Sequence, residues 1–450
     1  MNQQNTNRLT TVLKLLQKMS IALVFFLVPT NLFLTLCENC GYAYGLLSDY
    51  LIPKLYLQDI PVSGAVFLGA ALGAFPVKKL RILQTLKSPT SLILLILWFV
   101  LLLTQILSTN PGLGAIHWLR MSIYLLFGYM LWTNFITFKP IMLRASQVGL
   151  LFQSFVAAIQ WHTQQSLAGY WLLGEPALSA YSGITKTVKD GAQVILPYGT
   201  TPHPNILGGY ASIVVLLSVY SILHSARTSF HSNHLLTRYF SISTILAGLY
   251  VIFLTQSAPA ALALILAGLV GGLAWNIPQK WLQKITISKH FFLLFFLILW
   301  STIALLTWYI GNDQITNPSL FRRAYLLESS QKMISENLLV GVGLGQFTSA
   351  ASQEIRPFET SRFNQPVHHS LFLWISETGI LGLFLFVLCF LHLLGYFSQI
   401  NQEKSSLTNL FLHTIILTPL LVWDHYLVSL PQGQLLILLW VLSALNKPTN

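Results

Sequence analysis

Four arginines, two adjacent histidines and a glutamate are the residues whose types and spacing could carry chemistry in this chain. Arg322, Arg323, Arg356 and Arg362 lie within residues 311–369, so this stretch holds 4 of the 10 arginines among 450 residues. Arginine offers phosphate a planar fork of donors and stays charged at any working pH. The stretch is not a polycationic tether, because Asp313, Glu328, Glu336, Glu354 and Glu359 balance its five Lys and Arg. It closes with His368-His369-Ser370. Histidine is the usual acceptor, near neutral pH, for the proton of an attacking hydroxyl; adjacent histidines also serve simply as interfacial residues. Glu377 follows about 10 Å into an apolar run at 1.5 Å per residue. An ionisable group at that depth is costly and is a candidate functional position, with a structural hydrogen bond to a neighbouring helix as the plainer reading. Helical phasing sets Glu377 nearly opposite His368, so no pair between them on one helix is expected.

The elements that must position these residues follow from composition. The chain is 54% hydrophobic and 8% charged, against about 25% charged in an average soluble domain, and its mean hydropathy is +0.64. Apolar runs near 20 residues recur from end to end. A soluble enzyme, a disordered protein and a disulfide scaffold are excluded. Only a helix satisfies its own backbone in hydrocarbon without closing into a barrel, so the fold class is an all-α polytopic membrane protein. About 12 transmembrane helices are expected, near 18–36, 59–76, 90–107, 115–136, 147–166, 205–223, 239–255, 258–275, 291–310, 370–396, 407–423 and 431–446. Only Gln256-Ser257-Ala258-Pro259 divides the stretch 239–275. With both termini cytoplasmic, 16 of the 25 Lys and Arg fall on inner segments, as the positive-inside rule requires. That topology explains the net charge of +12 better than nucleic acid does, and no nucleic-acid partner is expected.

Residues 1–36 resemble a signal peptide but lack a small-residue cleavage site, so they read as an uncleaved first helix. Cys37-Glu38-Asn39-Cys40 then emerges outside as two thiols or a local disulfide, and Tyr42, Tyr44, Tyr50 and Tyr56 suit a segment along the outer interface. Two outer loops stand out by length, 167–204 and 311–369. In the second, Asn317-Pro318 makes a cap and first turn, and an amphipathic helix is expected over 318–336. It ends before Gly341-Val342-Gly343-Leu344-Gly345, which lacks a βαβ context and reads as a tight reversal rather than a nucleotide fingerprint. No internal repeat is visible. The chain reads as a single polytopic domain, 1–450, with 311–369 as its large extracytoplasmic loop.

Arg323-(x3)-Leu327, Val340-Gly341-Val342-Gly343-Leu344-Gly345-Gln346-Phe347, and His368-(x10)-Gly379 with Glu377-Thr378-Gly379-Ile380-Leu381-Gly382 together resemble the O-antigen ligase superfamily. This group includes O-antigen ligases, polysaccharide polymerases and O-oligosaccharyltransferases. Thr201-Pro202-His203-Pro204-Asn205 and Asp424-His425-Tyr426 are similar as well, and the ligase-like core would span 200–390. The resemblance implies a metal-independent glycosyltransferase without cofactors. It would move a glycan from an undecaprenyl-diphosphate carrier to a glycan, lipid or protein acceptor on the outer face of the cytoplasmic membrane.

In that scheme His368 and Arg323 are catalytic. Arg322, Arg323, Arg356 and Arg362 hold the diphosphate, whose growing negative charge preorganised cations stabilise. His369, Glu377, His203, Asn205, Asp424 and His425 are possible accessory residues. No metal ligand set is expected, since the outer loops hold no DxD-like pair and no HExxH. Two departures from the family pattern stand out. Many members carry arginine after serine where this chain reads Ser257-Ala258, and asparagine commonly follows the family histidine where His369 stands here. Spacing to Gly379 favours His368 over His369. A solute transporter, or an inactive family member serving as a scaffold, are the alternatives.

Overall fold

The computed structural model describes residues 3–37, 40–43, 45–73, 89–178, 183–228, 233–276, 287–311, 317–352, 363–401 and 405–444. Arg356 and Arg362 lie outside them. A helix stands at each of the twelve apolar segments. They are α1 (Gln3–Leu27), α2 (Asp59–Ala71), α3 (Pro89–Ile106), α4 (Pro111–Thr133), α5 (Phe135–Thr163), α6 (Pro204–Thr228), α7 (Asn233–Thr255), α8 (Ala258–Asn276) and α9 (Lys289–Ile310), followed by α12 (Ser370–Asn401), α13 (Ser405–Val422) and α15 (Pro431–Ala444). The intervening α10 (Pro318–Glu336) and α11 (Phe347–Ser352) lie between α9 and α12, and α14 (Tyr426–Ser429) is a single turn before α15.

Among the described residues, six helices are long and apolar enough to cross a membrane: Asn7–Leu27, Phe135–Thr163, Pro204–Leu223, Leu235–Thr255, Lys289–Ile310 and Ser370–Leu391. Five shorter apolar helices accompany them. The chain is thus a mostly helical membrane protein, and the count of twelve crossings goes beyond these six. The first element differs from expectation. α1 stops at Leu27 rather than near 36, because Pro29 disfavours helix in the residue before it. Beyond it, strand β1 (Phe33–Thr35) pairs antiparallel with β4 (Lys54–Tyr56), and β2 (Tyr42–Ala43) pairs with β3 (Leu46–Leu47). Cys37 and Cys40 form a local disulfide.

The expected division within 239–275 is present. Gln256 takes a left-handed φ of 51° between α7 and α8, and Pro259 falls in the first turn of α8, where its missing N–H costs nothing.

Apolar side chains from α1, α4, α5, α6 and α15 close the main core, with Phe25, Phe127, Met130, Leu150, Leu207 and Leu435 fully buried. Lipid gives little hydrophobic reason for helices to associate, so polar ties matter. Gln147 of α5 donates to Ser218 of α6 at 3.0 Å and to Ser241 of α7 at 3.1 Å. At the C-terminal end of α5, the buried Glu175 carboxylate accepts from the Leu167, Ala168 and Gly169 amides and from Gln160. These bonds fold the 167–204 segment back onto the bundle. Within it a hairpin forms between β5 (Lys186–Lys189) and β6 (Ala192–Ile195).

The late helix α12 is broken. Gly379 has φ 64° and ψ −165° inside it, and the glycine run after α10 fills the gap. Ser376 and Glu377 carbonyls accept from Val342 and Gly343 amides, both at 2.9 Å. Ile380 and Leu381 amides return bonds to the Leu338 and Leu339 carbonyls at 2.8 and 3.2 Å. Four of the backbone groups at the break are paired in this way, as burial demands. The approach is close on both sides. A Cβ at Gly341 (φ 69°) would overlap the Glu377 carbonyl carbon, and one at Gly379 would overlap the Leu339 carbonyl.

Gln346 locks the run to the α3–α4 connection through Thr109 Oγ1 (2.5 Å), the Asn110 amide (2.9 Å) and Ser108 Oγ (2.6 Å). Ser330 of α10 also meets Ser376 of α12 hydroxyl to hydroxyl at 2.7 Å.

Gly341→Ala should therefore lower the thermal unfolding midpoint of the purified protein. The left-handed φ alone costs roughly 1–2 kcal/mol, and the overlap adds to it. Gly268→Ala in α8, where a Cβ meets open space, should be neutral or slightly stabilising.

Candidate functional site

The helix α10 forms where sequence placed it. Asn317 caps it by accepting from the Leu320 amide at 3.2 Å, with Pro318 in the first turn. Its buried face is Ala324, Leu326, Leu327, Ser330 and Met333, which leaves Arg322 and Arg323 at its edge, half-buried. Arg323 Nη1 donates to Ser319 Oγ at 3.2 Å, while its buried Nε has no hydrogen-bond partner. Burial works against the Arg323 charge and Asp424 supports it.

His368 sits just before α12, with neither ring nitrogen hydrogen-bonded and Nδ1 3.7 Å from Asp424 Oδ1. The turn carrying Asp424 is tied to α12 by Ser370 Oγ, which donates to the Asp424 carbonyl at 3.3 Å. Asp424 Oδ1 also accepts the His425 amide at 2.8 Å. The His425 ring packs 5.3 Å from that of His368, and its Nδ1 lies 2.6 Å from Ser429 Oγ. Ser429 Oγ also lies 3.1 Å from the His425 carbonyl, so this hydroxyl holds the ring in place.

Charge follows this geometry. Burial lowers the pKa of His368; Asp424 opposes the shift, and Arg323 and Arg322 add to it. The ring is thus neutral near pH 7 and able to accept a proton. For Asp424, burial would raise the pKa, but His368, His425 and His203 outweigh it and hold the carboxyl well below the usual range.

The accessory candidates separate. His203 joins the cluster from the start of α6, where its charge environment includes Asp424, His368, Arg322 and Arg323. Both its nitrogens are used: Nδ1 accepts the Asn205 amide at 3.1 Å and Nε2 faces Thr185 Oγ1 at 3.2 Å. Asn205 contributes through that amide. His369, by contrast, turns away into the bundle, with Nε2 3.2 Å from the Trp300 carbonyl and its ring against Phe372. Of the two adjacent histidines, His368 is the one that meets Asp424. Glu377 also lies apart from this cluster; its carboxylate accepts from the Phe347 amide at 3.4 Å beside the glycine run.

The structure adds residues that sequence reasoning passed over. Tyr50, in a 3-10 turn at Asp49–Leu51, packs its ring edge-on 5.5 Å from His425. Its position rests on a buried polar cluster. Arg120 of α4 pairs with Asp59 at 3.2 Å and also donates to the Lys54 carbonyl; Tyr124 donates to Asp59 at 2.6 Å. Arg120 was visible in the sequence, since an arginine within an apolar run marks a buried polar site. Tyr50 was not, because only the fold brings it near residue 425.

Residues 242–387 match the family model described as O-antigen ligase. This segment is similar to the O-antigen ligase family. No curated protein matches the chain. The family implies an enzyme of ligase or glycosyltransferase type, lipid-linked glycan substrates and a membrane setting. The matched segment carries the two arginines of α10, the glycine lock and His368. Tyr50, His203, Asp424 and His425 reach the same place from outside it.

His368, Asp424 and His425 also present ligand atoms within 4.8 Å of one another, a spacing that could hold a divalent cation. Arginine charge around the cluster works against one.

The buried neutral histidines make stability sensitive to acid. Burial first, opposed by Asp424 and reinforced by neighbouring His368, lowers His203 to about 4 and His425 to about 3. Unfolded histidine titrates near 6.5, so the unfolded chain binds more protons as pH falls below that value. The unfolding midpoint should drop between pH 6.5 and 4, and less steeply in His425→Gln. An equal slope in that variant would remove His425 from the explanation.

Proposed function

We propose that the chain is a metal-independent glycosyltransferase of the outer face of the cytoplasmic membrane. It would move a glycan from an undecaprenyl-diphosphate carrier to an acceptor hydroxyl or amine. The observation that carries this reading is a neutral, unbonded His368 beside the Asp424 carboxylate, with Arg322 and Arg323 contributing positive charge to the same cluster. In the reaction the acceptor oxygen or nitrogen attacks the anomeric carbon, the bond from that carbon to the diphosphate oxygen breaks, and undecaprenyl diphosphate departs. His368 takes the acceptor proton, and Asp424 stabilises the imidazolium that forms. Arg322 and Arg323 stabilise the charge growing on the leaving diphosphate, joined by Arg356 and Arg362 if these also reach it. Arg323 Nε, buried without a partner, is suited to a phosphate oxygen. These two arginines supply positive charge in a chain that reads Ala258 where many family members have arginine.

A transporter would also use a discontinuous helix, and α12 is one. In transporters the freed helix ends face the substrate. Here the amides of the glycine run and the Leu338 and Leu339 carbonyls occupy them, so the break serves as a structural joint.

Purified protein in lipid nanodiscs, given an undecaprenyl-diphosphate oligosaccharide and a panel of oligosaccharide, glycolipid and peptide acceptors, should form product with EDTA present. His368→Ala should lower kcat by about 10²–10⁴ and Arg323→Ala by about 10²–10³, with both variants folded. Loss of product in EDTA, restored by a divalent metal, would favour the cation reading of His368, Asp424 and His425.

The pH profile gives an independent check. In kcat/KM the acid limb reports free His368 losing its proton as pH rises, and its midpoint should lie below 6.5. Asp424→Asn removes the group that raises this pKa, so the limb should move to lower pH while the maximum falls. An unmoved limb would separate Asp424 from the base.

A further inference from the structure

The segment between α1 and α2 lies outside the matched family region, yet it is built as firmly as any part of the site. Asp59 and Arg120 are both buried, at 8% exposure each. Asp59 Oδ2 accepts the Tyr56 amide at 3.0 Å, and Lys54 pairs with Asp49 at 3.2 Å while lying 4.2 Å above the Phe33 ring. Leu51 is buried with Leu113 of α4 and Ala43. Buried charges are costly to retain, and a position-fixing role is one established use for them.

What these contacts fix in place is Tyr50. Its ring meets His425, it is partly exposed, and no described residue hydrogen-bonds its hydroxyl. Burial and then Asp424 raise its pKa, with Arg322 opposing, so the phenol keeps its proton and remains a donor. Its ring contact is with His425, whose amide donates to Asp424, so Tyr50 stands on the Asp424–His425 side of the cluster. If the arginines hold the diphosphate, Tyr50 borders the space left for the acceptor. A tyrosine joins an apolar ring to a polar tip, and a pyranose joins a C–H face to a hydroxyl rim.

We propose that Tyr50 is a binding residue of an acceptor subsite, donating its hydroxyl proton to a sugar oxygen of an acceptor glycan. This rests on the transferase reading above and assigns that reaction a carbohydrate acceptor. The segment 33–58 would then be the wall that holds the subsite in register with His368.

The test compares wild type, Tyr50→Phe and Tyr50→Ala in nanodiscs with an undecaprenyl-diphosphate trisaccharide donor and a soluble oligosaccharide acceptor. Leu34→Ala, at an exposed position on β1, controls for changes in the segment. Tyr50→Phe should raise acceptor KM about three- to tenfold, as loss of one neutral hydrogen bond does. Donor KM and kcat should move far less, and Tyr50→Ala should raise acceptor KM further. An unchanged acceptor KM would overturn the proposal. So would a joint fall in kcat and rise in both KM values, which would mark a purely structural residue. Wild-type transfer to a peptide but not to the oligosaccharide would overturn the acceptor class while leaving the transferase reading intact. Absence of transfer to every acceptor would overturn the transferase reading and this proposal with it.

Discussion

The pairing of the glycine run with the break in α12 is the constraint on which the candidate site depends. The run continues from the end of α10, so it is the covalent extension of the helix that carries Arg322 and Arg323. The break lies one short helix below His368. Four backbone hydrogen bonds between 338–343 and 376–381, with the Ser330–Ser376 contact above them, set arginines and histidine in one register. Only glycine admits the approach on both sides, because Gly341 and Gly379 each place a would-be Cβ on the other segment's backbone. A motif that carries no candidate catalytic group thus decides whether the candidate groups meet.

The rest of the site is assembled by elements distant in sequence. The 424 turn supplies the carboxylate beside His368, the start of α6 supplies His203, and the segment after α1 supplies Tyr50. In each case the side chain is held by local polar bonds. Ser429 engages Nδ1 of His425, the Asn205 amide and Thr185 engage both nitrogens of His203, and Asp59 with Arg120 holds the segment bearing Tyr50. Among the histidines of this cluster, His368 alone keeps both ring nitrogens free of hydrogen bonds. A base held by a nearby carboxylate and otherwise unbonded is free to take a proton from a ligand.

Much of this was legible in the sequence, for physical reasons. Long uncharged runs specify helices in a membrane, Asn317-Pro318 specifies the start of α10, and Gln256 to Pro259 specifies the break between α7 and α8. The plainer reading of Glu377, a structural hydrogen bond, matches its contact with the Phe347 amide. Other features lay beyond periodicity. Pro29 ended α1 earlier than the apolar run suggested, since backbone stereochemistry outweighs hydropathy at that point. The glycine run read as a simple reversal, whereas it repairs a broken helix, and no local pattern in 370–396 signalled the break except Gly379 itself. The meeting of His368 with Asp424 joins residues 56 positions apart and arises only from tertiary packing.

The measurement that tests the central claim most directly is the structure of the full-length protein in nanodiscs with a non-transferable phosphonate analogue of the undecaprenyl-diphosphate glycan, determined by electron cryo-microscopy. The diphosphate group should lie against Arg322 and Arg323, with Arg323 Nε within hydrogen-bond distance of an oxygen. The anomeric carbon should face His368, and Asp424 should remain beside that ring. A diphosphate bound away from these arginines, or a metal ion held among His368, Asp424 and His425, would contradict it.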